Sequence, residues 1–136
     1  MMKRSRVCLF LLICVATSAG NAADDSASRA YLSPGWRFAE QGGEALYTHI
    51  CAACHQADGE GAVGAAAYPA LANNPNLASK DYVESVLLRG LRSMPALGRM
   101  MSDEQVADVV NYVRRRFGPR GDDPVSAAEI KAARPQ

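Results

Sequence analysis

In the second half of the chain, apolar residues recur at three- and four-residue intervals, the spacing that lines one face of a helix. The clearest stripe is Val106, Val109, Val110, Val113 and Phe117. Ser102 and Gln105 make a capping box at its start, and Asp103 and Glu104 sit on the positive end of the helix dipole. Arg114, Arg115 and Arg116 suit the negative end, and Gly118-Pro119 stops the helix. An earlier stripe of Tyr82, Val83, Val86 and Leu87 predicts a helix capped by Ser79 and ended by Gly90. A third helix is expected from Phe38 or Ala39 into residues 51–55, with Ala45, Tyr47 and Ile50 among its less polar positions. Residues 126–133 predict a short capped helix in a polar tail.

Between these elements the pattern breaks down. Residues 56–76 are rich in Gly, Ala, Asn and Pro and read as loop, with neither helix nor strand. Residues 91–101 are irregular as well and contain Met94-Pro95 and Gly98. No strands are needed, so the expected class is all-α with long loops. Gly42 and Gly43 each disfavour a helix by roughly 1 kcal/mol relative to alanine. Close approach of a second helix is the expected reason for them.

The N-terminus has a different composition. Lys3, Arg4 and Arg6 precede an apolar run over residues 7–16, and small residues follow to Ala23. This is the layout of a cleavable secretory signal, and the run is too short to span a bilayer. Cleavage is expected after Ala22, within a residue. Cys14 follows Ile13 where a lipidation motif requires a small side chain, so lipid attachment is not expected. The expected organisation is a signal over 1–22, a polar lead-in over 23–37, one domain over 38–118 and an extension over 119–136.

Export changes both the charge and the cysteine count. Without the three basic leader residues the formal charge falls from +1 to −2. That balance carries no basic excess for nucleic acid, and no second apolar segment offers a membrane span. Cys8 and Cys14 leave with the signal, so Cys51 and Cys54 are the thiols of the mature chain.

Cys51-Ala52-Ala53-Cys54-His55 reads as a c-type haem attachment site. Two thiols at this spacing can form thioethers to the two vinyl groups of one porphyrin, and the next residue supplies an imidazole to the iron. Two other readings stand beside it. A redox dithiol of the thioredoxin type would need a strand–helix alternation that is missing here. Zinc could use His49, Cys51, Cys54 and His55, but these crowd into seven residues where zinc sites separate their ligand pairs.

Opposite His55, the candidates for a second iron ligand are Met94, Met100, Met101 and His49. Met94 lies in an irregular loop and is locked by Pro95, which suits a weak thioether ligand. Met100 and Met101 border the last main helix, where core packing is the expected role. His49 shares a helix with His55 and reads as a surface residue. Met94 is the favoured ligand, and an open sixth site is the alternative.

Residues 42–117 resemble a class I (mitochondrial-type) cytochrome c domain. The resemblance rests on Cys51-Ala52-Ala53-Cys54-His55, Tyr68-Pro69-Ala70-Leu71, Gly90-Leu91-Arg92-Ser93-Met94-Pro95 and Tyr112-Val113. It implies three main helices wrapped around one covalently bound haem. It also implies that the Pro69 carbonyl accepts from the ring of His55, and that first and last helices cross at Gly43, Tyr47, Val109 and Tyr112. The function implied is single-electron transfer in the periplasm, by a carrier and not an enzyme. A periplasmic dehydrogenase would donate, and a membrane oxidase or another cytochrome would accept.

The extension beyond Gly118-Pro119 departs from the pattern and is similar to those of periplasmic cytochromes that accompany dehydrogenases. A dedicated subunit of a dehydrogenase complex, with Trp36 and the tail as interface, is therefore the first rival. A haem sensor or peroxidase-like protein with an open iron is the second. The acids Glu40, Glu44, Asp58, Glu60, Asp81 and Glu84 are scattered and expected on solvated faces or loops, without hydrolytic chemistry.

Overall fold

The computed structural model describes residues 37–64, 67–119 and 123–136. The signal, the lead-in as far as Trp36, and residues 65–66 and 120–122 lie outside them. The helical first arm comprises α1 (Gly43–Leu46), a π-helical stretch Tyr47–Cys51, and α2 (Ala52–His55). A small hairpin follows, made of β1 (Ala62–Val63) and β2 (Ala67–Tyr68). After a 3-10 turn at Pro75–Ala78 come α3 (Lys80–Arg89), a second 3-10 turn at Leu97–Met100, α4 (Asp103–Phe117) and α5 (Ala127–Ala133).

The fold is helical, as the periodicity predicts, and organised around α4. Val106, Val109 and Val110 on its inner face are wholly buried together with Leu46 of α1 and Ile130 of α5. Burying each such side chain contributes about 1.5–3 kcal/mol. The crossing of α1 and α4 explains Gly43, because a Cβ there would lie 2.2 Å from the Asp108 carbonyl oxygen and 2.5 Å from Tyr112 Cβ. Tyr47 continues that contact, with its ring centroid 4.8 Å from Phe117 and 5.7 Å from Tyr112. Gly42 has a different role. Its φ of +82° turns the chain into α1.

The caps form as read. Ser79 Oγ accepts from Tyr82 N, and Ser102 Oγ accepts from Gln105 N while Gln105 Oε1 accepts from Ser102 N. Ser126 and Glu129 repeat the same box on α5.

Several expectations need correction. The first helix begins at Gly43, not at Phe38 or Ala39. Residues 38–40 are held out of the helix because Gln105 Nε2 donates to the carbonyls of Phe38 and Glu40, and Phe38 N donates to Met100 O. The loop over 56–76 contains an antiparallel pair, with Ala62 opposite Tyr68 and Val63 opposite Ala67. Strands of two residues carry no alternation that a sequence can display. Tyr82 is 40% exposed, and Leu88 takes the place expected for it in the α3 core stripe. Glu84 is buried, not solvated, and burial, then nearby Asp81, raises its carboxyl pKa. Arg114 lies in the last turn of α4 as expected, and is also buried there, at 2% exposure.

Candidate functional site

The first arm brings Cys51, Cys54 and His55 onto consecutive turns of one helical segment. Its π-helical part adds a residue per turn immediately before Cys51, which rotates the cysteine–histidine half relative to the half that packs on α4. The two thiols are free and do not form a disulfide. Cys51 is buried, and desolvation, then the neighbouring Cys54, pushes its thiol up to about 11. A neutral sulfur therefore suits this position, whereas a zinc-bound cysteine must be thiolate. Among the described residues, no group of three or more His, Cys, Asp or Glu side chains converges as a metal-holding cluster.

His55 ends α2 with its ring buried, and Nδ1 lies 3.0 Å from the Pro69 carbonyl oxygen. A carbonyl only accepts, so the proton resides on Nδ1 and the lone pair on Nε2. This fixes the tautomer and orients the ring for a metal at Nε2. The loop is shaped to make that contact. Gly61 has φ +70°, and a Cβ there would sit 2.3 Å from Tyr68 O and 2.9 Å from Ala70 N. Its N–H donates to His55 O, so one residue ties the end of α2 to the backbone on either side of Pro69.

Gln56, directly after His55, has φ 67° and ψ 160°, a region that glycine alone occupies without strain. Three contacts hold it there. Gln56 N donates to Ala52 O, and the Gln56 carbonyl accepts from Gly59 N and from Tyr47 Oη at 2.6 Å. The pKa of the Tyr47 phenol is raised to about 12, by burial first and then by Cys51, so it stays a donor. The Tyr47–Gln56 contact has no signal in the sequence, where Tyr47 reads as an apolar helix position and a helix-crossing residue.

Met94 is partly buried against the core cluster. Leu91 and Met94 exchange both backbone hydrogen bonds at 3.0 Å around a tight turn in which Arg92 has φ 54°. Gly90 has φ +77°, and a Cβ there would come within 2.7 Å of Met94 O, so the turn folds directly onto the end of α3. Met101 is 2% exposed and belongs to the core. The His49 side chain is half exposed, 3.6 Å from Glu40 Oε1.

The donor set fits haem c. Free thiols two residues apart, one of them desolvated and neutral, adjoin an imidazole whose remaining nitrogen is oriented by a carbonyl. A thioether stands in a second preformed turn.

Known proteins carry the same pattern. Residues 39–113 match the family model described as cytochrome c oxidase, cbb3-type, subunit III. The alcohol dehydrogenase (quinone) cytochrome c subunit of Gluconobacter oxydans (strain 621H) is 32% identical over 124 residues, covering 82% of this chain and 25% of that protein. The fructose dehydrogenase cytochrome subunit of Gluconobacter japonicus is 36% identical over 107 residues, 68% of this chain and 22% of the relative. The chain thus spans about a quarter of these dehydrogenase subunits. A cytochrome c-552 of Thermus thermophilus is 32% identical over 120 residues, 74% of this chain and 79% of that protein. The chain belongs to the class I c-type cytochromes, haem c proteins that carry electrons.

Proposed function

We propose that this chain is a periplasmic single-haem electron carrier in which Cys51 and Cys54 form the thioethers and His55 and Met94 bind the iron. The domain would occupy 38–118, behind a cleaved signal over 1–22 and ahead of the extension over 119–136. The observation that carries the reading is the His55 Nδ1–Pro69 O contact at the end of the cysteine-bearing helix. Haem c supplies the one-electron couple. The chain's own residues hold the imidazole tautomer through Pro69, shield Cys51 from solvent, and keep the Met94 turn closed on Gly90. A Met/His pair raises the reduction potential relative to two imidazoles. Since both ligand turns are built in advance, little has to reorganise when the electron moves.

The expected donor is a dehydrogenase, and the expected acceptor a membrane oxidase or another cytochrome. Support for the donor comes from the dehydrogenase subunits among the relatives. Those same names favour a second reading, a subunit held stably on a dehydrogenase. Co-purification from periplasm separates them, because a transient carrier elutes alone.

His55→Ala is expected to abolish stable haem-loaded protein. Met94→Ala should yield coloured protein that resists acid–acetone extraction but has a markedly lower potential. An unchanged potential in Met94→Ala would remove that residue from the iron.

A further inference from the structure

We infer that the C-terminal extension is a clamp on the Met94 turn, and that Arg134 is the positioning residue through which it acts. The inference rests on Met94 being the second iron ligand.

Two adjacent tail residues hold both ends of the segment that carries Met94. At its entry, Arg89 Nη2 donates to Ala133 O at 3.0 Å, one residue before the Gly90 turn. At its exit, Arg134 reaches three oxygens. Nη1 donates to Gly98 O at 2.8 Å, Nη2 to Met101 O at 2.9 Å, and Nε to Asp103 Oδ1 at 2.5 Å. The guanidinium fork thus ties Gly98 of the 3-10 turn Leu97–Met100, and Met101 just after it, to the first residue of α4.

The turn is also held where Phe38 N donates to the Met100 carbonyl and where Leu97 and Met101 pack on the core, so Arg134 adds ties at Gly98 and Met101 that these contacts do not provide. Gly98 lies against α3, where a Cβ would be 2.9 Å from Leu88 Cδ2 and 3.0 Å from Leu87 O. The contact is close but carries no side chain of its own.

The tail itself is anchored deeply enough to serve as a fixed point. Ile130 is fully buried and Val125 is 4% exposed. Asn111 exchanges two hydrogen bonds with the Val125 backbone, each 2.8 Å. Arg114, buried in α4, donates to the carbonyls of Leu77, Ala78 and Asp123 and to the Asp123 carboxylate. A buried guanidinium satisfied this fully is costly to disturb.

A thioether is a weak ligand, so its occupancy depends on how rarely the turn swings open. Exogenous ligand can enter only from that open population. Loosening the exit of the turn should therefore raise the apparent affinity for an outside ligand without altering the haem attachment.

The test uses the full-length ferric haem protein titrated with imidazole, whose nitrogen forms a bond to iron as the Met94 sulfur–iron bond breaks, with no change of oxidation state. Arg134→Gln is expected to bind imidazole about tenfold more tightly, since charge-assisted contacts to three oxygens are lost. Arg134→Lys should fall between Gln and wild type. Lys80→Ala, which cuts the surface tie to Glu129 but not the contacts to the turn, should leave the affinity unchanged. Amide exchange over residues 97–101 should quicken in Arg134→Gln while the proximal loop is unaffected.

Imidazole affinity equal to wild type in both Arg134 variants overturns the clamp. So does an increase matched by Lys80→Ala, which would mean general destabilisation. If Arg134→Gln does not fold, Arg134→Lys with Asp103→Asn decides in its place. Met94→Ala separates the two levels of inference. Oxidised protein with a sulfur ligand on iron shows a far-red absorption band, and its persistence in that variant sinks the ligand reading and the clamp together. Its loss, combined with wild-type affinity in the Arg134 variants, sinks the clamp alone.

Discussion

The turn after His55 and the turn around Met94 are both irregular, both glycine-dependent and both closed by backbone hydrogen bonds, but they are secured differently. The His55 side is closed by hydrogen bonds from residues close in sequence, and from farther away Phe117 lies against it, with Gly59 packed on its ring and Asn73 N donating to its carbonyl. Gly61 N donates to His55 O, the Pro69 carbonyl meets the imidazole, and Gln56 is pinned by Ala52, Gly59 and Tyr47. The Met94 side has a local turn of its own, yet its exit depends on Arg134, which is 36 residues away from Gly98 in the chain. A loop closed mainly by its own hydrogen bonds resists changes elsewhere in the molecule. A loop tied from outside responds to whatever moves the tie.

The strongest way to break the comparison is Gly61→Ala. Positive φ and a Cβ 2.3 Å from a backbone oxygen cannot both be relieved without moving Tyr68 and Pro69. The variant is expected to lose at least about 2 kcal/mol in urea titration. It should also disturb the His55 ligand while the tail keeps its exchange protection. A fully stable variant would show that the His55 turn is looser than these contacts imply.

A smaller effect of opposite sign is expected from Gln56→Gly. Gln56 occupies a backbone region at a cost of order 1–3 kcal/mol, and glycine removes that cost. The freer unfolded chain takes back about 0.4–1 kcal/mol. Net stabilisation of about 1 kcal/mol follows, measurable as a raised urea midpoint with unchanged slope. Destabilisation instead would mean that the Gln56 side chain contributes more than the strain costs.

The same contrast explains what the sequence made legible. The cysteine–histidine run, the Met94-Pro95 step and all three serine caps are short-range signals, and a short window contains them whole. Gly43 was visible as an anomaly, since a helix does not choose glycine unless something passes close by. What stayed hidden is long-range. The Gln105 side chain completes a cap and also grips residues 38 and 40, which shortens the first helix. Arg114 looked like one of three cations complementing a dipole, although its position four residues after Val110 puts it on the buried stripe. Leu88 is buried because Gly98 of the second 3-10 turn lies against its side chain, and Glu84 lies one turn after Lys80, which reaches the tail. A helix periodicity reports how wide a buried face is only when every covering element is known. The role of Arg134 had no local signal at all.

The smallest expected effect is on the tail alone and comes from acid. Glu129 accepts from Lys80 Nζ, Ser126 N and Ser126 Oγ, and its carboxyl is held down from the ordinary 4.5 to about 2, chiefly by Lys80. A folded-state pKa below the unfolded one means the contribution is complete above pH 4.5 and is lost as pH falls toward 2. Both partners are substantially solvent-accessible, so the contribution is screened and small. Protonation also weakens the cap of α5, because the neutral carboxyl accepts less strongly from the Ser126 N–H. Amide protection in α5, corrected for intrinsic exchange, should therefore decline across this interval in wild type, and start low and stay flat in Glu129→Gln. Among the described residues the His55 ring meets the Pro69 carbonyl and not a carboxylate, so protection of the His55 turn should hold over the same interval. Equal decline in both regions would mean that acid loosens the molecule as a whole and that the two turns are not independently secured.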